Sequence, residues 1–463
     1  MVAAKPTTDP ATGHAWWDPR AWRSVLAAAT PSGRARVPVS WALYDFANTI
    51  FSYAVVSYAF GLWLTDPARL GQAQGQLWQS IAILGSVGLN ALVSPILGAV
   101  SDRGGRRLPY LLVFTVLCIV PSAFIGAGSA ALGIVLFVLA NFGYQAALIY
   151  YDATLKTVSR PEARGGLSGF GVSIGYLGTI FIALLLLLLP LPLEGAFPLQ
   201  AILFAIFAVP IFLAVRERGT PGYRFRVADV TASWRQVART IDDTRAVPGL
   251  GRFLLGRFFY SDAVNTVIVV MSVFAVRAIG LTEKEANLVL LLLTIVAVLA
   301  SLGWGRLVDR IGPKRTLLVV LASWAVGLAL GAASLSMPSF GTSVAVFLVA
   351  GAILGSGLGG VQVADRVLMI RLSPHAQLGE FFGLYGLVGK ASQVVGQLLY
   401  GLVVATFLAT LGNAAYQLAI ATLFGTMLIG LWLVWPVSDH WAGADEPAAP
   451  EPDAQPSGAV TAS

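Results

Sequence analysis

Along this chain the apolar residues gather in runs of about 20, separated by short polar stretches. Wound as a helix, a run of about 20 residues crosses a bilayer core of about 30 Å. The runs predict helices at 41–64, 78–100, 108–128, 131–151, 167–189 and 199–215, then at 258–280, 286–307, 316–336, 343–364, 381–407 and 413–436. Six precede a long polar stretch and six follow it. The expected fold class is therefore an all-α membrane protein, with twelve transmembrane helices in two pseudo-symmetric six-helix bundles. The chain divides into a polar tail (1–37), a first bundle (38–215), a middle loop (216–257), a second bundle (258–437) and a tail rich in Ala, Pro, Asp and Glu (438–463). A large soluble helical protein would carry amphipathic stripes rather than helices apolar all round.

The polar exceptions inside these runs carry the chemistry. Trp41-Ala-Leu-Tyr44-Asp45-Phe-Ala-Asn48-Thr49 opens the first run, and Asp262-Ala-Val-Asn265-Thr266 repeats its Asp-x-x-Asn-Thr spacing in the seventh. Positions i, i+3 and i+4 share one helix face, so each copy gathers its Asp, Asn and Thr into one patch. A charge at membrane depth is expensive unless it faces protein or a water-filled cavity. On one reading Asp45 and Asp262, with Tyr44, Asn48 and Asn265, line a central pathway and meet a substrate amine or a coupling proton. On the other, each carboxylate bonds a loop arginine or caps a neighbouring helix. Counted from Trp41, Asp45 lies about 6 Å into its helix, nearer the cytoplasmic mouth than the midplane, with Asp262 at a matching depth. Lys390 lies deep in the eleventh run, followed by Gln393 and Gln397 on the same stripe. It can balance one of the two aspartates or attract an anionic group such as a substrate carboxylate.

Two further stretches repeat. Gly98-Ala-Val-Ser-Asp102-Arg103-Gly-Gly105-Arg106-Arg107 follows the second run, and Gly305-Arg-Leu-Val-Asp309-Arg310-Ile-Gly312-Pro-Lys314-Arg315 follows the eighth. Asp152 with Pro161 ends the fourth run as Asp365 with Pro374 ends the tenth. The three aspartate pairs are offset by 262 − 45 = 217, 309 − 102 = 207 and 365 − 152 = 213 residues. Three repeats in one order at nearly one offset argue for a duplicated six-helix unit, the arrangement of secondary transporters.

Only 11% of residues are charged, against about a quarter in a soluble domain. The formal charge of +7 reflects Lys and Arg on one set of loops, which places both termini in the cytoplasm rather than indicating nucleic acid. Val227, Val230, Trp234, Val237 and Ile241 in the middle loop have the spacing of an amphipathic helix on the cytoplasmic leaflet. The chain has one cysteine, Cys118, and three histidines, His14, His375 and His440, all outside the runs. No thiolate cluster or catalytic constellation stands out. Gly389-Lys390-Ala391 lacks the rest of a phosphate-binding loop. A transporter without metal or cofactor is expected, not an enzyme, and without ATP as its energy source.

The Gly-x-x-x-Asp-Arg-x-Gly-x-[Arg/Lys] loops resemble the signature of the major facilitator superfamily. Tyr44 to Thr49, with Ser168-Gly169-Phe170-Gly171 and Gly175-Tyr176-Leu177-Gly178 in the fifth run, resemble its vacuole-effluxer-like branch, which includes bacterial "unknown major facilitator" proteins. The resemblance covers about 38–436. It implies rocking of the two bundles and a cytoplasmic gate of Asp102, Arg103, Arg106, Asp309 and Arg310, joined by Asp152 and Asp365. It also implies a multi-pass protein of the bacterial cytoplasmic membrane, working as a monomer. The expected partners are a small polar solute, amino acids first, a coupling proton or sodium ion, and lipid. The alternatives are a proton-coupled exporter of hydrophobic compounds and a transporter-derived sensor with the middle loop as its output surface.

Overall fold

A computed structural model of the chain describes residues 26–104, 107–160, 164–217, 247–373 and 378–438, with short helical pieces at 234–235, 238–239 and 241–245. Among the described residues, 12 helices are long and apolar enough to cross a membrane. They are α1 (Arg36–Leu64), α2 (Gly71–Gly104), α3 (Leu108–Ala123), α4 (Ala130–Val158), α5 (Arg164–Leu188) and α6 (Ala196–Ala214). The second set is α7 (Leu250–Ile279), α8 (Glu283–Ile311), α9 (Pro313–Ser334), α10 (Phe340–Leu372), α11 (Leu378–Leu411) and α12 (Ala414–Val434).

Local chemistry punctuates the helices. Ser129 caps α4, and Thr282 with Glu285 and Ser339 with Thr342 form reciprocal capping boxes at the starts of α8 and α10. Gly280 (φ 93°) and Gly312 (φ 86°) adopt positive φ where α7 and α8 end, a region that favours glycine. Pro313 then opens α9, where the proline's missing N–H is no loss. Both α1 and α7 change to π-helical winding in their outer halves, at Ser52–Ala59 and Phe274–Ile279. Such segments are rare and concentrate at functional sites.

The two sets pack alike. α1 lies against α5 and α6, as α7 lies against α11 and α12. Between the halves the main contacts are α2 with α11 and α5 with α8. The glycines of α5 allow its close approach to α1. Gly171 faces the Trp41 ring, and a Cβ on Gly178 would run into the Phe46 carbonyl oxygen. Gly178→Ala is therefore expected to destabilise the protein by about 1–3 kcal/mol, the usual range for overpacking. A thermal-shift measurement in detergent checks this.

The helices extend beyond the apolar runs, and α7 differs most. It starts at Leu250 rather than 258, taking in Arg252 and Arg257, which hydropathy assigns to the middle loop. Both arginines have partners on the bundle. Arg252 donates to the Leu433 carbonyl (3.1 Å) and lies over Trp432, and Arg257 pairs with Asp365. The depth of the aspartates changes accordingly. Asp45 follows the start of α1 by nine residues and Asp262 follows that of α7 by twelve, about 13 and 18 Å along the axis. Of the expected middle-loop helix, Trp234 and Ile241 are described and exposed. Val227, Val230 and Val237 lie outside the described residues, as do most of the two tails.

Candidate functional site

A cavity of about 220 Å³ lies between the two sets of helices. Its two walls differ in kind. The first half contributes Thr49, Ser52, Tyr53 and Ser57 from α1 and Tyr176 and Thr179 from α5, so every one of these residues carries a hydroxyl. The second half contributes mainly apolar groups, among them Val267, Met271, Leu290, Leu293, Leu358 and Trp324, with Thr294 and Gln362 as its polar members. The chamber can hydrogen-bond one side of a solute while packing apolar surface on the other. Ser52, Tyr53 and Ser57 belong to the π-helical stretch of α1, Thr49 to the α-helical turn before it, and Tyr176 and Thr179 to α5. Apart from Thr49, which the repeated motif includes, sequence reasoning misses them because Ser, Thr and Tyr do not interrupt an apolar run.

Asp45 and Asn48 precede the chamber residue Thr49 on α1, and Asp262 and Asn265 precede Val267 on α7, within one to two turns on the predicted cytoplasmic side. Asp45 is half-buried against Gly175 of α5 and has no hydrogen-bond or ion-pair partner among the described residues. Asn48 is 4% exposed, and its Oδ1 has no partner among them. Tyr44 belongs to the core of the first bundle instead. It is fully buried, shares a hydrogen bond with Thr115 (2.6 Å) and stacks on Tyr151. Asp262 is also buried, its Oδ1 accepting from the main-chain N–H of Gly396 in α11. Asn265 and Gln393 are half-buried.

Lys390 donates to Asn90 Oδ1 of α2 across the interface between the halves (3.0 Å). The carboxylate within its electrostatic reach is Asp152, rather than Asp45 or Asp262. Arg366 also lies within reach of Asp152, and Asp152 within reach of Asp45. Asp152 of the first half thus faces two cations of the second, with Asp45 beside it.

Asp365 is held inside its own bundle. It forms a buried ion pair with Arg257, accepts from the Tyr385 hydroxyl (2.7 Å) and lies 3.4 Å from that of Tyr260. The Arg257 guanidinium also covers the Tyr385 ring, 3.5 Å from its centroid. Asp365 is therefore part of a network joining α7, α10 and α11, whereas the sequence suggests a member of an inter-bundle gate. Of the other expected gate residues, Arg310 is exposed. Arg106 and the side chains of Asp102, Arg103 and Asp309 lie outside the described residues.

Opposite the predicted cytoplasmic face, contacts between the halves close the chamber. Tyr53 Oη donates to Asn287 Oδ1 (2.6 Å), and Asn287 Nδ2 donates to the Ala183 carbonyl of α5 (3.0 Å). Tyr58 Oη donates to the Glu283 carbonyl (3.1 Å). Arg277 donates to the Leu62 carbonyl (3.1 Å) and to Thr65 (3.2 Å), at the end of α1. Tyr53 both lines the chamber and bonds the seal. Asn287 and Arg277 are legible signals for this network, an amide and a charge inside apolar runs.

Comparison with known proteins agrees with this architecture. A family profile described as "Vacuole effluxer Atg22 like" matches residues 78–445. The uncharacterized MFS-type transporter YxiO of Bacillus subtilis is 26% identical over 412 residues, covering 84% of this chain and 93% of its own. Autophagy-related protein 22 of Pichia angusta is 23% identical over 406 residues, covering 79% and 70%. Among solved structures, a D-xylose-proton symporter superposes with a TM-score of 0.66 at 13% identity, covering 89% of this chain and 98% of its own. The nucleoside transporter NupG superposes with a TM-score of 0.63 at 14% identity, covering 86% and 98%. At these identities the structural likeness establishes the fold, which is that of the major facilitators.

Proposed function

The chain belongs to the vacuole effluxer Atg22-like family of major facilitator transporters, and from that premise we propose that it moves a small polar solute, amino acids first, by alternating access. The observation that carries this reading is the chamber with one hydroxyl wall and one apolar wall. Its volume of about 220 Å³ is several times a water molecule's share of liquid, about 30 Å³. An amino acid with an apolar side chain presents matching faces. Its amine would meet Asp45, one helical turn from Thr49, and its carboxylate would be drawn toward Lys390. The cell membrane of a bacterium, with both termini cytoplasmic, is the proposed location, in keeping with the loop arginines. A proton or sodium ion is the proposed coupling partner, with Asp45 as its station.

Proteoliposomes loaded with radiolabelled L-leucine test the proposal. Time-dependent flux is expected from the wild type. Asp45→Asn is expected to slow it by about 10–100-fold, the worth of one charged hydrogen bond at about 1.5–3 kcal/mol. Flux unaffected by Asp45→Asn would remove this carboxylate from the mechanism. The apolar wall also favours a second reading, an exporter of hydrophobic compounds. Ethidium extrusion with no flux of any amino acid would select it.

A further inference from the structure

We propose that the repeated Asp-x-x-Asn-Thr motifs divide their labour in opposite ways. In the second half Asp262 is a positioning residue that fastens α7 to α11. In the first half Thr49 fastens α1 to α5, and Asp45 is left for the cargo's amine or the coupling ion. That last assignment rests on the transport function proposed above; the division of labour itself does not.

Each aspartate is seated over a glycine in the fifth helix of its own bundle. A Cβ on Gly175 would come within 2.6 Å of Asp45 Oδ2, and a Cβ on Gly396 would run into the Asp262 carboxylate. The two seats are equivalent, but the bonds made across them are not. In the first half Thr49 Oγ1 donates to the Gly175 carbonyl (2.6 Å), and Asp45 has no hydrogen-bond partner among the described residues. In the second half the Gly396 N–H is donated to Asp262 Oδ1. Thr266, which corresponds to Thr49, is 1% exposed, and its hydroxyl has no partner among the described residues.

One side chain of the motif therefore makes the helix-to-helix bond in each half, and the other is released. Burial follows the same division: Asp262 is 1% exposed, whereas Asp45 is half-buried. A carboxylate already bonded inside its bundle is poorly placed to exchange a ligand on each transport cycle. One with no competing partner is well placed to do so. The repeat is thus symmetric in sequence and asymmetric in use. The hydroxyl wall of the chamber belongs to the half whose aspartate has no hydrogen-bond partner among the described residues.

The test uses the full-length wild type and two pairs of variants. Dicyclohexylcarbodiimide, which modifies carboxyl groups in apolar surroundings, is applied to purified protein and its sites are mapped by mass spectrometry. Asp45 is expected to be modified at least roughly tenfold faster than Asp262, about the factor that one hydrogen bond supplies. Asp262→Ala is expected to lower the melting temperature, and Asp262→Asn, which keeps an acceptor for the Gly396 N–H, to restore most of the loss. Thr49→Val is expected to lower it and Thr266→Val to leave it nearly unchanged. Equal modification of the two aspartates overturns the proposal, and so does a Thr266→Val loss as large as that of Thr49→Val. L-leucine is expected to slow modification of Asp45 alone. If it slows neither while the labelling and melting contrasts hold, the amino-acid reading fails and the division of labour stands.

Discussion

Arg257→Leu is expected to destabilise the protein by about 3–5 kcal/mol, the cost of breaking a buried ion pair from one side. The substitution leaves the Asp365 carboxylate, with 2% of its side chain exposed, facing the Tyr385 and Tyr260 hydroxyls without its cation. The Arg257 side chain is itself only 13% exposed and stacks on Tyr385, so packing is lost together with charge. A surface pair would contribute about 0–1 kcal/mol. Arg245 and Asp242 form such a pair, with side chains 82% and 69% exposed, and removing their bond is expected to change little. Asp365→Leu should be as damaging as Arg257→Leu, because it strands the guanidinium. The double variant Arg257→Leu/Asp365→Leu should recover most of the loss, since replacing both members of a buried pair by apolar groups is often neutral. Melting curves of the three variants in detergent check this. A double variant no more stable than the worse single one would show that the pair is needed for packing geometry rather than for mutual neutralisation.

The same pair shows where the sequence can be read and where it cannot. Transmembrane runs are legible because their length and apolarity are properties of a continuous segment, and the twelve helices follow from them. The start of α7 escapes hydropathy because Arg252 and Arg257 look like loop residues until Asp365, Leu433 and Trp432 are brought to them by other helices. The repeats identify which positions carry the aspartates but not their depth, about 13 and 18 Å from the helix starts against the roughly 6 Å counted from Trp41. Their environments are illegible, because each depends on residues more than a hundred positions away. Asp365 meets Arg257, but the residue at the corresponding place in the first half, 257 − 217 = 40, is Ser40. Asp152 has no such arginine on α1 and faces Lys390 and Arg366 of the other half instead. Duplicated motifs thus identify where polar groups enter the membrane, and the substitutions around them decide what each copy does.

Asn287→Leu is expected to shift the protein from the form closed on its outer side toward the form open there. Asn287 is 1% exposed and joins three helices, accepting from Tyr53 Oη at 2.6 Å and donating to the Ala183 carbonyl at 3.0 Å. Leucine makes neither bond and leaves Tyr53 Oη only its longer contact to the main-chain carbonyl of residue 287 (3.3 Å). Two buried hydrogen bonds at about 1–1.5 kcal/mol each give about 2–3 kcal/mol, or roughly a 30–150-fold change in the balance between the two forms. The shift arises because these bonds cross between the halves and exist only while the outer side is closed. Tyr53→Phe removes one of the two and should produce the smaller change. Ser57, which lines the chamber, gives the readout when replaced by cysteine, and the fully buried native Cys118 adds little background. A membrane-impermeant maleimide added from outside should label Ser57→Cys slowly alone, faster with Tyr53→Phe and fastest with Asn287→Leu. Equal labelling in all three would place the outer seal elsewhere, with Arg277 and its bonds to Leu62 and Thr65 the next contact to remove.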